Sequence, residues 1–244
     1  MRKFFAIWAR ELGACFYSPV AYVLLIVFTG VASAMFLAEV TGRPVLDGPP
    51  TTPLFEGIVT WFTILVTVVS MRLFAEEKRS GTLETLMTAP VSETQVVLGK
   101  YAGALSFLLL AGLPVLASYF LFIGLSPGLS GADIDWGSLA AGSVTLVLVY
   151  ALCTAVGLFA SLLTRNQVVA AICCFGAVWG VLLGGWILAA VPGCARAGEY
   201  LMVTDYLHDA ARGVLDTRPV VLFTTGTAFL LFASVRVLES RRWK

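Results

Sequence analysis

Long uncharged apolar stretches alternate with short charged ones along this chain. An apolar helix needs roughly 20 residues to cross the hydrocarbon of a bilayer. Six windows meet or approach that length, at about 19–38, 57–74, 101–125, 138–163, 167–191 and 219–236. Before the first, Phe4, Phe5, Trp8, Leu12 and Cys15 recur at helical spacing among Arg2, Lys3, Arg10 and Glu11. This pattern predicts an amphipathic helix lying in the interface, broken by Ser18-Pro19. Ala32-Ser33-Ala34 imitates a signal cleavage site, but no charge occurs between Glu11 and Glu39. A signal core runs only about 7–15 residues, so the expectation is a retained first span.

Composition agrees. The chain of 244 residues is 59% hydrophobic and only 13% charged, against about 25% in soluble domains. The expected fold class is an all-α integral membrane protein, with 1–244 as one transmembrane domain. A net charge of +1 gives no reason to expect a nucleic-acid partner. Five cysteines, Cys15, Cys153, Cys173, Cys174 and Cys194, have neither metal-site spacing nor an even count, and read as small apolar packing residues.

Lysine and arginine set the expected orientation. With the N-terminus inside, one side holds Arg2, Lys3, Arg10, Arg72, Lys78, Arg79, Lys100, Arg165, Arg236, Arg241, Arg242 and Lys244. The other holds Arg43, Arg196, Arg212 and Arg218. The positive-inside rule then puts both termini in the cytoplasm, and the expected location is the cytoplasmic (inner) membrane. Two connections exceed simple turns: an inner loop at 75–100 and an outer one at 192–218. Long ordered loops tend to carry function.

The spans have few ionisable residues away from their ends, whereas ion-coupled carriers keep such groups inside the membrane. The one histidine, His208, falls in the outer loop and reads as a surface residue. Gly99-Lys100 lacks the rest of a phosphate-binding loop, since Thr94 stands where glycine is needed and Tyr101 where Ser or Thr would hold magnesium. No cluster of His, Cys or carboxylates suggests catalysis or a metal. In the fifth window Gly176, Gly180 and Gly184 lie on one face, a candidate helix-packing stripe. Pro114 is expected to kink the third span.

The inner loop is the most informative segment. Arg72 with Glu76, and Glu76 with Arg79, are spaced to pair along a helix continuing beyond span two. Lys78 and Arg79 suit its C-terminus and Gly81 the residue beyond. A short helix from about Thr82 to Thr88 follows, with Leu83, Leu86 and Met87 on one face and Glu84 near its N-terminus. Ala89-Pro90 stops it. Ser92 and Gln95 then form a capping box that starts the next helix. Periodicity alone leaves two readings open for the short helix: a lever pushed by a cytoplasmic partner, or an interfacial helix resting on lipid.

The stretches Leu73-Phe-Ala-Glu-Glu-Lys-Arg-Ser-Gly-Thr-Leu-Glu84, Thr88-Ala-Pro-Val-Ser92 and Val97-Leu-Gly-Lys-Tyr101 resemble the type-2 ABC exporter permeases. Phe16–Tyr22, Ser161–Gln167, Arg212–Arg218 and Leu238–Trp243 are similar to the gliding-motility (GldF-like) subgroup. The resemblance implies a six-helix permease with an N-terminal interfacial helix and a coupling helix between spans two and three. That helix would dock on a cytoplasmic ABC ATPase, a separate chain that holds ATP and magnesium; this chain would bind no cofactor. The implied coupling residues are Glu76, Glu77, Lys78, Arg79, Ser80, Gly81, Thr82, Leu83, Glu84, Leu86 and Met87. A second permease copy, or a related membrane subunit with an extracytoplasmic domain, is also implied.

In the outer loop Tyr200, Val203, Leu207, Ala210 or Ala211, and Val214 repeat at helical spacing. Asp209 with Arg212 and Arg212 with Asp216 are possible pairs. The resemblance implies two short helices dipping into the outer leaflet as an exit gate, with Tyr200, Leu207, Arg212 and Asp216 as candidates. A plain solvated amphipathic helix fits the spacing equally. The leading expectation is an ABC exporter permease without catalytic residues. The alternatives are an ion-coupled secondary transporter and a transport-inactive assembly platform.

Overall fold

The computed structural model describes residues 2–42, 51–82, 91–125 and 134–241. All regular structure among them is α-helical: α1 Arg2–Phe16, α2 Pro19–Gly42, α3 Thr51–Leu73, α4 Ala75–Ser80, α5 Glu93–Leu125, α6 Trp136–Leu163, α7 Gln167–Ala189, α8 Ala195–Tyr200, α9 Val203–Ala211 and α10 Thr217–Arg241. Six segments, built on α2, α3, α5, α6, α7 and α10, are long and apolar enough to cross a membrane. The second starts at Thr51 rather than near residue 57, because polar Thr51 is buried and donates to Ala211 O at 2.7 Å. The fold is that of an all-α membrane protein.

Helix starts follow local chemistry. Asp135 caps α6 by accepting from Gly137 N and Ser138 N, and Asn166 caps α7 by accepting from Val168 N. The expected capping box forms at α5: Gln95 N donates to Ser92 Oγ at 3.3 Å and Ser92 N to Gln95 Oε1 at 3.4 Å. Pro114 sits inside α5 without dividing it.

Two helices form the centre. In α6 and in the α3 segment 67% of the most apolar window is buried inside the chain, against 22% in α2 and 11% in α10. The outer helices therefore keep apolar surface for lipid, which supplies the contact that neighbouring protein supplies at the centre. At one end of the bundle lie the C-terminal ends of α3 and α6, the starts of α5 and α7, and α1 and α4. It holds most of the lysines and arginines among the described residues, which makes it the charged end. The opposite end carries α8 and α9.

The N-terminal helix is amphipathic as expected, but protein covers one of its faces. It packs along α5 over Gly99 and Gly103. A Cβ on Gly99 would lie 2.7 Å from Ile7 Cγ2, and one on Gly103 would lie 2.7 Å from Glu11 Cβ. Trp8 Nε1 donates to Ser106 Oγ at 3.0 Å, and Phe16 meets Phe107 edge to face. Gly99-x-x-x-Gly103 is thus a small-residue face that another helix occupies.

The stripe expected to pack meets no other helix among the described residues. A Cβ on Gly176, Gly180 or Gly184 would meet no atom within 4 Å. The buried side of α7 is instead Ala170, Cys174, Val178, Leu182 and Gly185. At about 100° per residue, a two-residue offset puts the two rows on opposite faces. The side-chain-bearing row wins because it removes more apolar area from water and lipid contact than bare glycines can.

Candidate functional site

The site is built around a break in the second span. Phe74 leaves helical geometry at φ −125° and ψ −33°, separating α3 from the short α4. Broken helices leave backbone groups without partners, and Ser161 near the end of α6 supplies them. Its Oγ accepts from Phe74 N and Ala75 N, each at 3.1 Å, and donates to Met71 O at 3.3 Å. One hydroxyl thereby uses its donor and both acceptor sites. Lys78 Nζ donates to Leu162 O and, at 3.4 Å, to Thr164 O. The 161–164 turn therefore holds α4 at both its start and its middle.

Lys100, in the second turn of α5, is only 1% exposed. Its Nζ donates to Glu77 Oε1 at 2.8 Å and to Glu11 Oε1 at 3.0 Å, and lies 5.3 Å from the Phe74 ring centroid. Arg10 Nη2 reaches the same two oxygens, at 3.2 Å and 2.8 Å. Two cations and two carboxylates thus join α1, α4 and α5. An isolated buried charge is costly, but pairing with hydrogen bonds offsets the loss of water. Burial would raise the Glu11 carboxyl, yet Lys100 and Arg10 outweigh it and hold Glu11 below the usual carboxylate range. Burial pushes the neighbouring Cys15 thiol up to about 11, with Glu11 adding to the effect, so it stays protonated and inert.

The expected coupling residues divide. Glu77 enters the buried cluster, and Lys78 clamps the 161–164 turn. Glu76 pairs with Arg72 at 2.9 Å as spacing predicts, and Arg72 Nη1 also donates to Ser18 Oγ at 3.1 Å. Arg79 is exposed and makes no ion pair among the described residues. Ser80 Oγ donates to Glu76 O at 3.0 Å. Gly81 ends α4 at φ +72°, a conformation that favours glycine. Thr82 is helical; Leu83, Glu84, Leu86 and Met87 lie outside the described residues. Beside this cluster a cavity of about 620 Å³ opens between α1, α2 and α3.

At the opposite end the single repeat expected from Tyr200 to Val214 is interrupted. It forms α8 and α9, joined through Leu201 and Met202. Tyr200 therefore stands on a different helix from Leu207, and its carbonyl accepts from Tyr206 Oη at 2.7 Å. Leu207 is buried with Val203, Tyr206, Ala210 and Ala211, where α9 packs on α6 and α3. Arg212 is exposed and follows the end of α9, which Gly213 terminates at φ +83°. That turn stops the helix before Asp216, so the Arg212–Asp216 pair does not form. Asp216 accepts instead from Arg218 N at 3.1 Å, and His208 pairs with Glu56 of α3.

Glu11, Lys100 and Ser161 carry the geometry without having been singled out. For Lys100 the available signal was a cation two residues past an apolar Val-Leu pair, on a helix whose Gly99 and Gly103 invite close approach. Nothing in the linear pattern connects Ser161 to Phe74.

No curated protein matches the chain significantly. The family described as ABC-2 family transporter protein matches residues 45–201, more than half of the chain. That segment holds α3 to α8, the two central helices and the Lys100–Glu77 pair included. With six membrane-crossing helices and this match, the chain belongs to the ABC-2 transporter family, whose members are membrane permeases of ABC transporters.

Proposed function

We propose that this permease serves an exporter, and that ATP hydrolysis on a separate cytoplasmic ABC ATPase enters it through residues 76–87. The observation that carries the reading is the Lys100–Glu77–Glu11–Arg10 cluster. Residues 83–90 connect Thr82 to Val91, and the cluster ties together the elements on either side of them. A force on that connection reaches α3 through α4, α5 directly, and α1 through Glu11. Ion pairs with 1–19% exposure around Lys100 resist shear better than exposed ones, because separating them strands charge away from water. The three elements then move as one body.

In this reading the charged end faces the cytoplasm, supported by the lysine and arginine distribution. ATP and magnesium sit on the ATPase, and a second permease copy or a related subunit with an extracytoplasmic domain completes the conduit. The likeness at Phe16–Tyr22, Ser161–Gln167 and Arg212–Arg218 supports membership of the GldF-like subgroup. At the other end α8 and α9 act as the exit gate, with Leu207 seated on the core and Tyr200, Arg212 and Asp216 at its edge.

The test compares Gly81→Pro and Glu84→Arg with the parent in complex with its partner ABC ATPase. Proline cannot adopt φ +72°, and Glu84→Arg reverses charge in the expected docking segment. Loss of ATPase co-purification, or hydrolysis uncoupled from transport, is expected. Unchanged co-purification and unchanged coupled hydrolysis in both variants would refute the reading.

A further inference from the structure

The cavity beside the cluster changes character along its length. Part of its lining is apolar, formed by Ala21 and Leu24 of α2, Val68 and Val69 of α3, and Phe107 of α5. Its charged end holds three cations, Arg10, Arg72 and Lys100, and three carboxylates, Glu11, Glu76 and Glu77. These are not equally reachable. Lys100, Glu11 and Glu77 are 1%, 13% and 19% exposed, with Lys100 bonding both carboxylates. Arg10, Arg72 and Glu76 are 52%, 43% and 46% exposed. The reachable groups are therefore two guanidiniums and one carboxylate, while the lining as a whole is neutral, three cations against three carboxylates.

Both guanidiniums have donors to spare. Arg10 makes its two bonds through Nη2 alone, and Arg72 uses Nε and Nη1. The other nitrogens have no partner among the described residues. Guanidinium donors suit phosphate oxygens. A volume of about 620 Å³ falls within the roughly 300–1,000 Å³ of ligand pockets. Pockets between spans that set cationic donors beside an apolar lining suit lipid headgroups and their chains.

We propose that this cavity binds one glycerophospholipid, its phosphodiester on Arg10 and Arg72 and an acyl chain against Ala21, Leu24, Val68 and Phe107. The phosphodiester oxygens accept from the spare donors, Nε and Nη1 of Arg10 and Nη2 of Arg72. The bilayer supplies such amphiphiles beside the spans, and the lipid then braces α1 against α2 and α3. The site rests on the chain spanning a membrane and not on how the ATPase docks, so either reading can fail alone.

The test uses the full chain, delipidated in detergent and titrated with dioleoylphosphatidylglycerol, with bound lipid counted by native mass spectrometry. Ala14, exposed and lining the cavity, is changed to Trp to fill it without touching an ion pair. Arg10→Gln with Arg72→Gln removes the phosphate donors. The parent should hold one lipid per chain. The arginine variant should bind about tenfold more weakly, the effect of losing about 1.4 kcal/mol of charge-assisted hydrogen bonding. Ala14→Trp should lose the lipid while its lipid-free melting stays unchanged. Glycerol 3-phosphate should not compete at matched concentration. Equal lipid occupancy in all three proteins, or equal binding of glycerol 3-phosphate, would overturn the proposal.

Discussion

Replacing Lys100 by Met tests the central cluster most directly. Methionine matches the aliphatic stem of lysine, so the packing beside Phe74 is largely kept while the charge disappears. Glu11 and Glu77 are then left facing each other at 13% and 19% exposure. Removing one partner of a buried ion pair costs about 3–5 kcal/mol. Arg10 still reaches both carboxylates, but it is half exposed, and an exposed pair contributes only about 0–1 kcal/mol. The net loss should therefore stay near 3 kcal/mol. At about 2–4 °C per kcal/mol for a chain this long, the apparent melting temperature in detergent should fall by roughly 6–12 °C at a fixed scan rate. The decisive comparison is Lys100→Met with Glu11→Gln and Glu77→Gln. Neutral glutamines remove the stranded charges, so the triple variant should recover most of the loss, a coupling that a simple packing defect would not produce. A fall of less than about 2 °C, or no recovery in the triple variant, would refute the assignment of Lys100 as an ion-pair centre.

Three further outcomes follow from the same geometry. Ser161→Ala leaves Phe74 N and Ala75 N buried without an acceptor, at about 1–3 kcal/mol each, so hydrogen exchange across 74–80 should accelerate while that of central α6 does not; unchanged exchange at 74–80 would contradict the clamp. Gly103→Leu should displace α1 at about 1–3 kcal/mol of overpacking, exposing 2–16 to limited proteolysis, whereas Gly180→Leu, facing open space, should leave the isolated chain as stable as the parent. Glu11 has a folded-state pKa below its unfolded value, so its contribution is fully present above the ordinary carboxylate value of about 4.3 and declines as pH falls from there through the depressed value. Melting followed from pH 7 downward should show this loss, and Glu11→Gln should flatten it; a parallel decline in the variant would remove Glu11 as the cause.

Much of this architecture is written locally. The six apolar stretches, the Ser92–Gln95 box, the Arg72–Glu76 pair and the glycine ending α4 each depend on residues a few positions apart, so sequence spacing alone determines them. The solvent does the rest, because hydrocarbon forces each long apolar run to satisfy its backbone within a helix. Partner choice between distant segments was decided only in three dimensions. Gly176-x-x-x-Gly180-x-x-x-Gly184 read as a packing face, yet no helix among the described residues covers it, while α1 covers Gly99-x-x-x-Gly103, for which no such expectation stood. The outer segment likewise showed one repeat, which the Leu201–Met202 junction and Gly213 divided and ended. The cluster that links α1, α4 and α5 joins residues 11, 77 and 100, and Ser161 answers a break at Phe74. Linear spacing carries no information about such pairings, because burial and charge compensation depend on which helices become neighbours.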